Sequence, residues 1–360
     1  MTRRTSRILL MVIICSTVSC LQEVSIARQR TRLRTRSRGR LKVVTTLPDY
    51  AVLAKRIGGD RVDVESIVQS VQDPHHIRPK PSFVHLLMGA DVLIATGLDL
   101  ELWLPTVINK SGNKRVRSGE PGYVAVSQGI KLLEVPKVVS QFEGDVHVYG
   151  NPHLTCSPIN TREIVRNITT GLIKNDAQGR DFYEENLREL QKELDTHLFG
   201  EELVKLLGGK TLCALAEKDK LINFLQEHEL QGEPLMEKLG GWMKKMLPLR
   251  GTPIVVYHKN WTYFIELFGL EEAGTIETKP GIPPSLKHVT ELVSMMQERE
   301  IGIILAANYF DQQKVTTIGE RTGAKAVIVP LFVGGAPGID DYSQLVDYWT
   351  DRLLAASTGG

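Results

Sequence analysis

Asp91-Val92-Leu93-Ile94-Ala95-Thr96-Gly97 is an apolar run of strand length that ends on a glycine. Such a run reads as a buried strand, the kind found in parallel sheets whose two faces are covered by helices. The surrounding sequence supplies those helices. Upstream, the β-rich run Leu41 to Thr46 is followed, after Pro48, by helical spacing from Tyr50 to Ile57, which stops at Gly58-Gly59. A second apolar run spans Val62 to Val68, and a second helical pattern spans Ser82 to Met88. Downstream, Lys210 to Ala216, Pro253 to Tyr257, Ile301 to Ala306 and Ala326 to Val329 repeat the style. Strands alternating with helices predict an α/β fold of two lobes, each a mostly parallel sheet flanked by helices.

Between the lobes, Asp181 to Leu206 carries Phe182, Leu187, Leu190, Leu194, Leu198, Leu203 and Leu206 mostly at three- and four-residue steps, with Glu and Lys between them. This spacing predicts one long amphipathic linking helix over 181–206, of about 40 Å at 1.5 Å per residue, with Gly200 as its weak point. The lobes then fall at 41–180 and 207–360, and 221–248 reads as one or two helices inserted into the second lobe.

The N-terminus is of a different kind. Arg3, Arg4 and Arg7 precede the apolar run Ile8 to Cys15, then small residues and Cys20. That is a secretory signal over 1–20, too short for an ordinary membrane span. Cys20 after Ser19 is placed as a lipid-modified cysteine would be, although Thr17 stands where lipoprotein signals usually carry Leu. Residues 21–40 include Arg28, Arg30, Arg32, Arg34, Arg36, Arg38 and Arg40, a composition that cannot form a packed core and reads as a disordered tether. With ten arginines and one glutamate before Leu41, the net charge of +2 conceals an acidic folded body, which suits cations and excludes nucleic acid as the expected partner. Outside the signal and Cys20, only Cys156 and Cys213 remain, so no disulfide framework is implied.

Three histidines stand in loop-like contexts far apart in the chain: His75 in Asp73-Pro74-His75-His76, His153 in Asn151-Pro152-His153, and His258 directly after the strand Pro253 to Tyr257. A turn before each of the first two rings frees it to project into a cleft, and the carboxyl end of a strand is where open α/β sheets bind ligands. Neutral imidazole holds zinc well, so the three predict a metal site assembled by folding. His76 reads as a solvent-facing neighbour, Cys156 as a small buried residue, and His147 as a surface residue at the cleft edge. His85, His197, His228 and His288 sit in helical, charged surroundings and read as structural or exposed.

Asp73-Pro74-His75 with Pro81-Ser82, Ala90-Asp91, Gly97-Leu98, Leu102-Trp103-Leu104, Asn151-Pro152-His153, and Tyr257-His258 to Trp261 with Tyr263-Phe264 together resemble the zinc/manganese solute-binding proteins of ABC transporters, the ZnuA and TroA type. The resemblance covers nearly everything from residue 41 onward. It implies two lobes joined by a rigid backbone helix, with metal held between them by His75 and His153 from the first and His258 from the second. The ion would then pass to a membrane permease, and the chain would be periplasmic or on the outer face of the cytoplasmic membrane, anchored there if Cys20 is lipidated. A monomer is expected. The family often adds an acidic ligand in a Leu-Asp-Pro motif; here Ile328-Val329-Pro330 stands in its place, and Val329 cannot bind metal. The fourth position is therefore open among water, Asp340 or Asp341, and less favourably Glu277. Three imidazoles without an obligatory carboxylate favour Zn2+ over Mn2+.

The leading expectation is a binding protein for delivery of zinc, not an enzyme. Three histidines with one open position also describe catalytic zinc, so a secreted zinc hydrolase is the rival, and it would need a general base beside the metal-bound water. A metal-dependent surface adhesin on the same fold is a third reading.

Overall fold

The computed structural model describes residues 39–136, 147–277 and 281–358. The signal over 1–20 and, up to residue 38, the arginine-rich stretch lie outside the described residues. No helix among the described residues is long and apolar enough to cross a membrane.

The first lobe runs β1 (Leu41–Thr45), α1 (Pro48–Gly58), β2 (Val62–Ser66), α2 (Pro81–Met88), β3 (Val92–Ala95), α3 (Leu104–Ser111) and β4 (Tyr123–Ala125). Its sheet has the order β2-β1-β3-β4, all parallel, with Leu41 beside Val62, Val43 beside Val92 and Leu93 beside Tyr123. Next come α4 (Pro158–Asn175), α5 (Arg180–Phe199), α6 (Glu201–Leu207), α7 (Gly209–Ala216), α8 (Leu221–Glu227), a two-residue hairpin β5 (Glu229–Leu230) and β6 (Glu233–Pro234), and α9 (Gly241–Met246). The second lobe follows with β7 (Pro253–Val256), α10 (Thr262–Phe268), β8 (Glu271–Thr275), α11 (Leu286–Glu298), β9 (Ile303–Ala307), α12 (Gln312–Thr322), β10 (Lys325–Val329) and α13 (Tyr342–Thr358). Its sheet order, β10-β9-β7-β8, is again wholly parallel.

Three expectations need correction. The linking helix does not run unbroken over 181–206: α5 stops at Phe199, so it is about 30 Å long, and α6 begins at Glu201. Gly200 turns the chain at φ +86, and a Cβ there would lie 2.7 Å from the Cα of Gly240, so the break is also a site of close backbone approach. Lys210 to Ala216 is helix α7, not a strand. Its leucines and alanines favour a helix, and Leu212 and Cys213 are buried on one side of it. Strands β4 and β8 were not anticipated. The first has only three residues, and the second is an edge strand carrying Glu271, Glu272 and Gly274, with a register shift opposite Ile254/Val255.

α5 packs against α1 of the first lobe and α9 of the second, and so serves as a spine. Arg56 of α1 pairs with Glu193 at 2.6 Å, and Arg162 of α4 pairs with Asp195 at 3.0 Å. One buried apolar cluster runs from Val43 and Leu93 of the first sheet through Leu194 and Leu198 to Leu305, Val327 and Trp349, so the lobes share a core. A smaller cluster around Val255, Ile304 and Val315 covers the other face of the second sheet.

Polar contacts also cross between the lobes. Asp49, fully buried at the start of α1, accepts the Val333 N–H at 2.8 Å, and Ser70 donates to the Val333 carbonyl at 2.6 Å. Asp49 Oδ2 has no partner, and burial raises this carboxyl to about 7. Because the folded value lies above the unfolded one of 3.8, its contribution is full below that value and is lost as pH rises through 7. Asp49→Asn should therefore match the parent in urea melts near pH 4 and exceed it at pH 8, by roughly 1–3 kcal/mol. Parallel pH–stability curves for the two proteins would refute this account of Asp49.

Candidate metal centre

Each candidate histidine sits beyond the carboxyl end of a parallel strand: His75 after β2, His153 in the long connection after β4, and His258 two residues past β7. Two of the loops are Asx turns of the same design. Asp73 Oδ1 accepts the His75 N–H at 2.9 Å, and Asn151 Oδ1 accepts the His153 N–H at 3.0 Å, with the proline between them fixing φ. The Trp103 indole N–H holds the Pro74 carbonyl at 2.9 Å and so ties the His75 turn to the chain before α3.

The structure brings the three rings together. His75 and His153 approach with Nε2 atoms 3.1 Å apart, and the His258 ring lies 5.6 Å from His75 and 5.4 Å from His153, centroid to centroid. A fourth ring joins them. His147 stacks on His75 at 5.0 Å, and one ligating atom from each of His75, His147, His153 and His258 lies within 4.8 Å of all the others. For four nitrogens about a tetrahedral zinc, each 2.0–2.1 Å from the ion, the mutual spacing would be about 3.3 Å, near the separation already present between His75 and His153.

The far side of two rings is fixed, which decides the atom each offers. The Asn151 amide nitrogen faces three acceptors: Glu134 Oε2 at 2.8 Å, the Lys259 carbonyl at 2.7 Å and Thr262 Oγ1 at 3.1 Å. Its oxygen must therefore face His153 Nδ1, 2.9 Å away, so Nδ1–H donates and Nε2 carries the lone pair. Glu277 Oε2 lies 3.0 Å from His258 Nδ1 and sets that ring in the same way. The Nε2 atoms of His147 and His258 are buried without a partner. Buried imidazole nitrogens left unmatched in this way are the donor set a cation would satisfy.

Electrostatics prepares the rings. Burial, reinforced by the neighbouring histidines, holds His75 and His153 well below the ordinary imidazole value, and burial together with His258 lowers His147 to about 4. These rings are thus neutral at pH 7, the form that binds metal.

The other candidates go elsewhere. Asp341 accepts the Gln344 N–H at 2.8 Å in the first turn of α13, Asp340 is exposed, and neither belongs to the cluster. Glu277 supports a ligand ring instead of presenting a free oxygen. Val329 is buried in β10, and Cys156 is a buried free thiol outside the cluster. His76 is half-exposed, 3.8 Å from Asp73 Oδ2. Sequence reasoning placed His147 at the surface, since no proline turn or strand end marks it. Asn151 was readable from the Asn-Pro-His pattern, but its reach to Lys259 and Thr262 was not.

Fold and site together define a two-lobed, metal-binding α/β protein. The family described as "Zinc-uptake complex component A periplasmic" (ZnuA) matches residues 43–197 and 235–356, and the chain belongs to it. The unmatched stretch, 198–234, contains α6, α7, α8, β5 and β6. Among its relatives, the high-affinity zinc uptake system protein ZnuA of Bacillus subtilis (strain 168) is 24% identical over 330 residues, covering 88% of this chain and 89% of that one. The manganese ABC transporter substrate-binding lipoprotein PsaA of Streptococcus pneumoniae is 29% identical over 323 residues, covering 89% and 90%. The crystal structure of a ZnuA deletion mutant with zinc bound superposes with a TM-score of 0.64 at 21% identity, over 88% of this chain and 98% of that one, a likeness of fold.

The two orienting contacts yield a measurable expectation. Asn151→Ala and Glu277→Gln should each weaken zinc binding about 10–100-fold in competition against a chelator, as loss of a hydrogen bond behind a metal ligand does elsewhere. Affinity unchanged within a factor of two in both variants would show that these contacts are incidental.

Proposed function

We propose that this chain is an extracytoplasmic receptor that captures one divalent metal ion, zinc in preference to manganese, between its lobes and hands it to the permease of an ABC transporter. The observation that carries the reading is the convergence of His75, His153 and His258 on one point, two of them with their outer nitrogens anchored. Zinc is supported over manganese by the donor type, since imidazole suits zinc and manganese prefers oxygen-rich shells. Attachment to the membrane through Cys20, action as a monomer and a periplasmic or outer-face location belong to the same proposal, and membership of the family supports the last of these.

The hydrolase reading needs a general base, and Glu277 is the carboxylate the sequence offers for it. Glu277, the carboxylate closest to the requirement, is committed through Oε2 to His258 and through Oε1 to the Gly281 N–H at 2.9 Å. A base must reach a metal-bound water with a free lone pair.

The full chain should take up zinc at about one ion per molecule in calorimetric titration, and alanine at His75, His153 or His258 should each lower affinity by tenfold or more, as loss of a direct ligand must exceed loss of its support. Alanine at Asp340 or Asp341 should leave zinc affinity as it was. A chain that binds no zinc, or one indifferent to all three histidine substitutions, would overturn the proposal.

A further inference from the structure

We infer that His147 is the specificity-determining ligand of this site, closing a shell of four imidazoles that retains zinc against manganese. The inference rests on the metal-binding reading above and adds to it the identity of the fourth donor and the selectivity that follows.

Position comes first. His147 is centred 5.0 Å from His75, 5.6 Å from His153 and 6.4 Å from His258, so it faces all three rings from one side. Its Nε2 is buried with no partner. The backbone that follows it is tied down: the Val148 N–H donates to Asp99 Oδ2 at 2.9 Å, and the Gly150 N–H donates to the His147 carbonyl at 3.1 Å. The ring is therefore presented from a constrained turn.

Composition comes second. Among the described residues, no carboxylate joins the four-histidine group. Two acids beside the group are engaged elsewhere: Glu277 on His258 Nδ1 and the Gly281 N–H, and Asp73 Oδ1 on the His75 N–H. Among the described residues, an ion in this place meets four imidazole nitrogens and no carboxylate oxygen of the group. Manganese, a harder ion that prefers oxygen and higher coordination, loses most in such a shell, whereas zinc is content with four nitrogens in a tetrahedron. With His147 in place, the shell is also complete without the open position that catalytic zinc keeps.

The test compares the full parent chain with His147→Ala and His147→Asp, using zinc and manganese as the probes and cobalt as a spectroscopic stand-in for zinc. His147→Ala should lower zinc affinity about tenfold or more, and His147→Asp should narrow the ratio of zinc to manganese affinity about tenfold or more by tightening manganese binding. The intense visible bands of tetrahedral cobalt in the parent should weaken in His147→Ala, a change that a merely structural role for His147 would not produce. If the alanine variant does not fold, the aspartate variant carries the test. An unchanged zinc-to-manganese ratio in His147→Asp, in a parent that binds zinc at one per chain, would overturn the inference and leave the receptor reading intact. A parent that binds no metal would instead remove the receptor reading itself.

Discussion

The amide of Asn151 is the point on which the site and the meeting of the two lobes both depend. Its oxygen fixes the His153 main chain and the His153 ring at once, while its nitrogen reaches across to the Lys259 carbonyl and to Thr262, next to His258. The Asn151 carbonyl also accepts the Tyr263 hydroxyl at 2.7 Å, and that hydroxyl accepts the Leu133 N–H. Glu134 closes the network by pairing with Lys259. A ligand loop of the first lobe and the ligand loop of the second are thus one hydrogen-bonded unit. Such networks are stiff when every member is satisfied, and stiffness is what holds separate lone pairs on a common point.

The parallel topology explains why the ligands meet. Every strand of both sheets points the same way within its sheet, so the loops that follow β2, β4, β7 and β8 all emerge at carboxyl ends, and they bring His75, His153, His258 and Glu277 with them. The apolar runs made most of this legible, because a buried parallel strand needs a continuous run of Val, Ile and Leu. Strands that depart from that composition escaped. β8 lies at an edge and is half-solvated, so its glutamates are tolerated where a central strand would exclude them. α7 was misread for the converse reason, because six or seven apolar residues satisfy a buried strand and one face of a helix equally.

The candidate ligands divide along the same line. His75 and His153 announced themselves through local chemistry, an Asx residue and a proline two and one positions ahead, and His258 through its place after a strand. His147 has no such local mark. What brings it into the cluster is long-range: the stacking on His75, 72 positions away in sequence, and the burial of its Nε2 by the folded lobes. Sequence spacing records turns and periods, and it does not record which loop a given ring will fold over.

The shared core limits how the metal can leave. A wide hinge between the lobes would expose the apolar cluster that runs from β1 and β3 to β9 and Trp349, and each Å² opened costs about 25 cal/mol, so parting even 400 Å² costs about 10 kcal/mol. The Asp49 and Ser70 contacts to Val333 would be broken as well. Moving one ligand loop costs far less. Glu277 stands behind the His258 ring and Asn151 behind the His153 ring, so both of these rings are held in place by their surroundings. In the proposed four-imidazole shell, a departing ion would leave behind His75, His147 and His153 rings that burial already keeps neutral.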